Sequence, residues 1–470
     1  MRKKRQNRKE EENKKKKKKK KREDIDLPYP PEIAGLLTKY LTGALSKGLL
    51  LAEAVAKRYW RPSLFYFFAT GQDQPQWQRS TVRPTAVNGF GFGSSVVLPV
   101  AGNVYPFGFY SVELKIGNPP KTFQLDIDTG SDLTWVQCDA PDTVCTGCTL
   151  PHDRRYKPAK SNFLPCKDPI CAALNSPKSN PCKNPNEKCG FNVKYADQVS
   201  VLGFMVSDNF HGLGSGSLSN PHLAFGCGSQ LENHSPDRPH PLTTAGVLGL
   251  GKSKASMSSQ LSGMGITKNV VGHCFSGQGG GFLFLGAGFP ESKMTWTPML
   301  QNSIDEHYYS SGPAELLFGG EPTGAKGLYV IFDTGATYTY LSSEVYQTLL
   351  NLIRKDLAGK QLRDVKDYAL PICWKGAKPF KSVRDVRNYF NTLVLSFTGA
   401  NNNKLVLPPE AYIIVTERGN VCLGILNGTE VGLGITNVIG AISLQDKLVI
   451  YDNENQRIGW ASADGTRKPR

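Results

Sequence analysis

No stretch of the chain reaches the ~18 consecutive apolar residues of a membrane-crossing helix, so a helical span is not expected. The N-terminus also fails to read as a secretory signal, which joins a short basic start to an apolar run of about 7–15 residues. Here the basic run is far longer, and the nearest apolar material, Gly48 to Ala56, begins late and contains Glu53. Histidine is scarce, with seven in 470 residues, and His152 stands alone near the cysteines, not at zinc-finger spacing. That argues against a zinc site, and no metal or other cofactor is expected. Net positive charge is slight outside one end. Of the +16 net charge, +12 lies in the first 22 residues, where 15 Lys or Arg face three Glu. A run such as Lys14 to Lys21 buries no apolar area and reads as a solvated, disordered tail. Such a block can also bind nucleic acid. Residues 95–470, however, show no basic patch interleaved with aromatics, so a nucleic-acid partner is not expected.

What is present begins with length. A chain of 470 residues calls for two or three domains, or one large two-lobed body. After the basic tail (residues 1–30), residues 31–94 read as a helical leader or propeptide-like segment. It carries an aromatic cluster of Tyr59, Trp60, Phe65, Tyr66, Phe67 and Phe68 with basic neighbours. From Val96 short β-branched and aromatic runs such as SSVVLPV, KTFQLDID, GFLFLG and KLVIYD alternate with Gly, Pro and Asn turns. This is an all-β pattern with minor helices. The best helical pattern is Ser343 to Leu357, with Val345, Leu349, Leu350, Ile353 and Leu357 at helical spacing, and a weaker one spans Ser256 to Met264. Eleven cysteines are present, seven of them packed into residues 138–189. Cys145-Thr-Gly-Cys148 has the form of a zinc or redox pair, but the loop-rich surroundings favour disulfides and an oxidising compartment. Cys373 and Cys422, far from that cluster, are expected to pair with each other. The odd count leaves at least one thiol over.

The chain also repeats itself. An apolar strand (Phe123, Leu125, Ile127) runs into Asp128-Thr129-Gly130-Ser131, and Val247-Leu248-Gly249 follows much later. In the second half Leu328 to Phe332 runs into Asp333-Thr334-Gly335-Ala336, and Val438-Ile439-Gly440 follows. The separations match, 121 residues from Asp128 to Gly249 and 107 from Asp333 to Gly440. A single Asp-Thr-Gly is weak, since it also suits a strand-ending Asx-turn. Two copies, one per half, point to a pair of carboxylates. Two carboxylates brought to ~3 Å cannot both ionise and share one proton. The ionised member can take a proton from a water while the protonated one hydrogen-bonds a carbonyl. The glycines allow close approach, and the hydroxyls of Thr129 and Thr334 can cross-brace the two loops.

The text around these motifs resembles the pepsin-like aspartic proteases, and among them the nucellin-like branch of plants. The match runs over about residues 95–460 through SSVVLPVAGNVYPFGFYSVELKIGNPPKTFQLDIDTGSDLTWVQCDAP, VKYADQ, LAFGCG, GVLGLG, KNVVGHCFS, VCLGILNG and VIYDNENQRIGWA. The resemblance implies a bilobal β fold with the dyad, Asp128 and Asp333, at the floor of a cleft. The implied lobes are residues 95–300, with the Cys-rich insertion 138–189, and residues 301–470. It also makes Tyr195 the flap tyrosine and Trp135 the indole that steadies it. The implied activity is aspartic-type endopeptidase action on an extended peptide, by a monomer with no membrane partner. The implied location is the secretory pathway, extracellular or vacuolar, although no signal peptide is visible. In that setting the sequons at Asn233 and Asn427 are expected on surface loops.

Several departures from the family text bear on function. Ala336 stands where relatives have Ser or Thr, so a hydroxyl beside Asp333 is missing. Ala441 replaces an Asp, and Val199-Ser200-Val201 is expected to stiffen the flap tip. Ala336 and the flap changes support the alternative of a catalytically weak or inactive protease-like binder or inhibitor.

Overall fold

The computed structural model describes residues 85–87, 95–141, 143–175, 183–196, 198–213, 220–233, 244–286, 291–301, 307–398, 403–463 and 465. All of these belong to one compact unit, 59–470. The basic tail, the leader apart from 85–87, Cys182, and residues 234 and 235 of the first sequon lie outside them. Within the leader, Thr85–Val87 is a strand antiparallel to the start of Ser95–Asn103.

Among the described residues three sheets carry the fold, with 14, eight and four strands. The internal repeat appears as a repeated topology. In the first half, Lys121–Asp128 runs parallel to Gly246–Gly249. Gly246–Gly249 pairs antiparallel with Trp135–Gln137, which lies parallel to His222–Asn233. In the second half, Leu328–Phe332 runs parallel to Asn437–Ile439. Asn437–Ile439 meets Thr339–Leu341 antiparallel, and that strand lies parallel to Ile425–Asn427. Each half therefore leads into its Asp-Thr-Gly from a strand with one parallel and one antiparallel neighbour, and an apolar strand paired on both edges suits burial. The two halves are also sewn together at the back. Lys447–Asp452 pairs with Val270–Phe275, and Arg457–Ser462 pairs with Thr295–Pro298.

The helix Ser343–Leu357 buries Val345, Leu349, Leu350, Ile353 and Leu357 on one stripe, as its spacing requires. A second helix, Met257–Gly263, is capped by the hydroxyl of Ser256, which accepts from the Ser259 amide at 3.4 Å. The cysteines cross-link the first half through Cys138–Cys227, Cys145–Cys148 and Cys171–Cys189. Cys373 and Cys422 face each other across adjacent strands of the four-stranded sheet and are bonded. Cys274 is buried and takes no part in these bridges.

One surface expectation is corrected. Asn427 ends a strand and is only 6% exposed. Its Nδ2 donates to Ser343 Oγ at 3.2 Å and to Glu430 Oε1 at 2.9 Å. The amide nitrogen of that sequon is thus committed inside the fold and does not lie on a surface loop.

Candidate active site

Each Asp-Thr-Gly leaves its strand where the later apolar-apolar-Gly strand can hold it. Leu250 N donates to Asp128 O at 2.8 Å, and Asp333 N donates to Ile439 O at 3.0 Å. The two loops then meet through their threonines. Thr129 N donates to Thr334 Oγ1, and Thr334 N donates to Thr129 Oγ1, both at 3.0 Å. The same hydroxyls reach across to the opposite strands. Thr129 Oγ1 donates to Phe332 O at 3.0 Å and Thr334 Oγ1 to Ile127 O at 2.9 Å. Serine would lack the methyl that fills the buried space, and valine would leave two amides without acceptors.

Asp128 and Asp333 come together between these loops. Gly130 N donates to Asp128 Oδ1, and Gly335 N donates to Asp333 Oδ1, each at 2.8 Å. A Cβ on Gly130 would sit 2.6 Å from the Asp333 carboxyl atoms, and one on Gly335 would strike Asp128 Oδ1. The glycines are therefore required by the approach of the opposite carboxylate. Each carboxyl group thus lies within reach of the other's loop, and the two interact directly. Desolvation first, and the charge of Asp128 second, push Asp333 well above the usual carboxylate range. The outer oxygens differ. Asp128 Oδ2 accepts from Ser131 Oγ at 2.5 Å, while position 336 has no hydroxyl to offer Asp333.

The dyad lies in a cleft of about 1760 Å³ bordered by both halves. A hairpin of Gly190–Lys194 and Val199–His211 overhangs it. Tyr195 sits at its turn, where Tyr195 N donates to Val199 O at 2.8 Å and Gln198 takes φ +68°. Trp135, fully buried, donates from Nε1 to Tyr195 Oη at 2.6 Å. The expectation for the flap tip needs correcting. The turn closes at 195–198, so Val199 and Val201 already belong to the returning strand, 9% and 0% exposed. Val201 packs over Gly228 beside Trp135 and is a core residue.

Two neighbours of the dyad escaped the motif reading. Asp132 Oδ2 pairs with His307 Nδ1 at 2.7 Å, while its Oδ1 accepts from Ser253 N at 2.9 Å. Asp126 borders the cleft on the same strand as Asp128. The period-2 spacing Asp126-Ile127-Asp128 was the available signal.

Residues 110–287 match the family model described as xylanase inhibitor N-terminal, and 317–462 the one described as xylanase inhibitor C-terminal. An aspartic proteinase of Oryza sativa subsp. japonica is 40% identical over 389 residues, 80% of this chain and 93% of that protein. The chain belongs to the pepsin-like aspartic proteinase family of plants. Nepenthesin-1 of Nepenthes gracilis is a more distant relative, 29% identical over 76% of this chain and 78% of its own. Among solved structures, soybean basic 7S globulin aligns with TM-score 0.59 at 18% identity, over 80% of this chain and 96% of its own. The aspartic proteinase of Irpex lacteus aligns with TM-score 0.55 at 18% identity, over 79% and 98%. At such identities these structures speak to the bilobal fold alone.

Proposed function

We propose that this family member is an active aspartic-type endopeptidase in which Asp128 and Asp333 activate water against a peptide bond. The observation that carries the reading is the mutual one: two carboxyl groups, brought close by Gly130 and Gly335 and braced by reciprocal Thr129 and Thr334 hydrogen bonds, open onto one cleft. A pair held this way keeps one proton. The ionised carboxylate takes a proton from the attacking water, and the protonated one donates to the scissile carbonyl as charge develops on its oxygen. The dyad titrates as a unit. An extended peptide fits the long cleft, with Tyr195, steadied by Trp135, covering the bond being cut and excluding water.

The lobes are taken as 95–300 and 301–470, sharing the sheet that joins Lys447–Ser462 to the first half. Disulfides in the first half and the plant family favour a secretory or vacuolar setting. Among the described residues no helix is long and apolar enough to cross a membrane.

A second reading is a peptide or protein binder without turnover. It draws on the inhibitor descriptions of the family models and on Ala336 beside Asp333. One experiment separates the two. The purified chain is assayed in acid on a quenched-fluorescence peptide library, alongside Asp128→Asn and Asp333→Asn. Turnover abolished by either change, and by a tetrahedral hydroxyl-bearing peptide mimic, supports the endopeptidase. Binding of the mimic with no turnover in the unmodified chain supports the binder.

A further inference from the structure

Two residues before Asp128 on the strand Lys121–Asp128 stands a third carboxylate, Asp126. Residues two apart on a strand share a face, and both border the cleft. Asp126 is poorly provided for. Its Oδ2 accepts a hydrogen bond from Thr244 Oγ1 at 3.2 Å, and its Oδ1 is buried and accepts none among the described residues. Burial first, then the Thr244 hydroxyl and the charge of Asp128, set its ionisation, and the balance pushes it up to about 8. Its cross-strand neighbour Val247, with Leu133, Leu174 and Val193, brings aliphatic surface to the same side of the cleft. A buried acceptor left open is costly, and a native structure holds such a group where something else completes it.

We propose that Asp126 is a specificity-determining residue that receives a Lys or Arg side chain of the substrate at a position adjoining the scissile bond. This rests on the endopeptidase reading above. The long stem of such a side chain lies along the aliphatic wall, as these stems commonly do. Its cationic end donates to the half-buried carboxylate, forming a charge-assisted bond at a group that otherwise has only the Thr244 hydroxyl. The incoming cation favours the ionised carboxyl and draws its pKa down, so the preference for a basic side chain is present where the carboxyl ionises and fades as pH falls. An apolar side chain of the same length leaves the acceptor unmet and is disfavoured on that ground.

The test uses the full chain and peptide pairs that differ only in Lys or norleucine, the same stem without the ammonium, next to the cut. The expected result is a kcat/KM ratio of at least about tenfold in favour of Lys, a factor that one charge-assisted bond can supply. In Asp126→Asn, of equal shape, the ratio falls to about one. Taking the ratio within each variant cancels any loss of folded protein. The inference is overturned if the unmodified enzyme cuts the norleucine peptide as well as the Lys peptide, or if the ratio survives Asp126→Asn. A second pair of peptides, with a non-cleavable hydroxyethylene link, is measured by calorimetry. Tighter binding of the Lys version, lost in Asp126→Asn, supports the inference even if no peptide is cut. Equal binding overturns it, with or without turnover. Failure of the specificity reading is thereby distinguished from failure of the endopeptidase reading.

Discussion

Replacing Ala336 by Ser restores a donor that one half of the dyad lacks. Asp128 has such a donor in Ser131, at 2.5 Å from Oδ2. Asp333 has the Gly335 amide on Oδ1 but no side-chain hydroxyl from position 336. Ala336 is half-buried, so a hydroxyl has room to turn toward the carboxyl. A hydrogen bond to an ionised group contributes about 1.5 kcal/mol at the low end, equivalent to about one pKa unit. The direction follows from which carboxyl holds the shared proton. Ser131 and Gly130 both donate to Asp128 and favour its ionised form, so the singly ionised pair is expected to keep its proton on Asp333. A new donor to Asp333 stabilises the doubly ionised pair more than the singly ionised one. The alkaline limb of the kcat/KM profile therefore moves down by about one pH unit, and the acid limb stays in place. Ser131→Ala acts on the other limb. It removes a donor from the ionised member, weakens the singly ionised pair against the fully protonated one, and moves the acid limb up by about one unit. Both profiles are measured with a fluorogenic peptide under first-order conditions. An unmoved alkaline limb in Ala336→Ser, or the same limb moving in both variants, would refute the assignment of the proton to Asp333.

Three further outcomes are expected. Thr334→Val removes two buried bonds and strands the Thr129 amide, so denaturant unfolding should show a loss of about 2–4 kcal/mol; a loss under 1 would contradict the cross-brace. Trp135→Phe and Tyr195→Phe delete the same bond, so each should lower kcat by about three- to tenfold with KM little changed; a double variant much worse than either single one would show separate roles. Cys373→Ser should cost about 3 kcal/mol, and non-reducing peptide mapping should recover the 373–422 link; either cysteine joined to the 138–189 cluster would be the contrary finding.

The dyad was legible because its chemistry needs two equal partners, and equal partners leave repeated text. Asp128-Thr129-Gly130 and Asp333-Thr334-Gly335 announce themselves, and the later Gly249 and Gly440 strands tell the reader that each motif is held by a parallel neighbour. The helix Ser343–Leu357 was legible for the same reason, since a buried stripe imposes a period. What the text could not give is the point at which a hairpin turns. Val199 and Val201 stand near Tyr195 in sequence, yet the turn closes at Gln198 through a left-handed residue, and two positions later the chain is core. Nor could a sequon report that Asn427 spends its amide on Ser343 and Glu430, partners that lie at different distances along the chain.

Asp126 belongs to a different class of oversight. Strand patterning treats an inward-facing acid as an interruption of an apolar run, and the strong Asp-Thr-Gly signal two residues later absorbs it. Only the surroundings separate the two acids. Asp128 meets a serine, a glycine amide and a second carboxyl, which together make ionisation useful. Asp126 meets one threonine and aliphatic neighbours, which make ionisation costly until a cation arrives. The cost is tolerable because the opposite halves are fixed to each other by the threonine brace and by the shared sheet at the back. A strand held that firmly can keep an unsatisfied carboxylate at the wall of its cleft, and selection for a basic substrate side chain would retain it there.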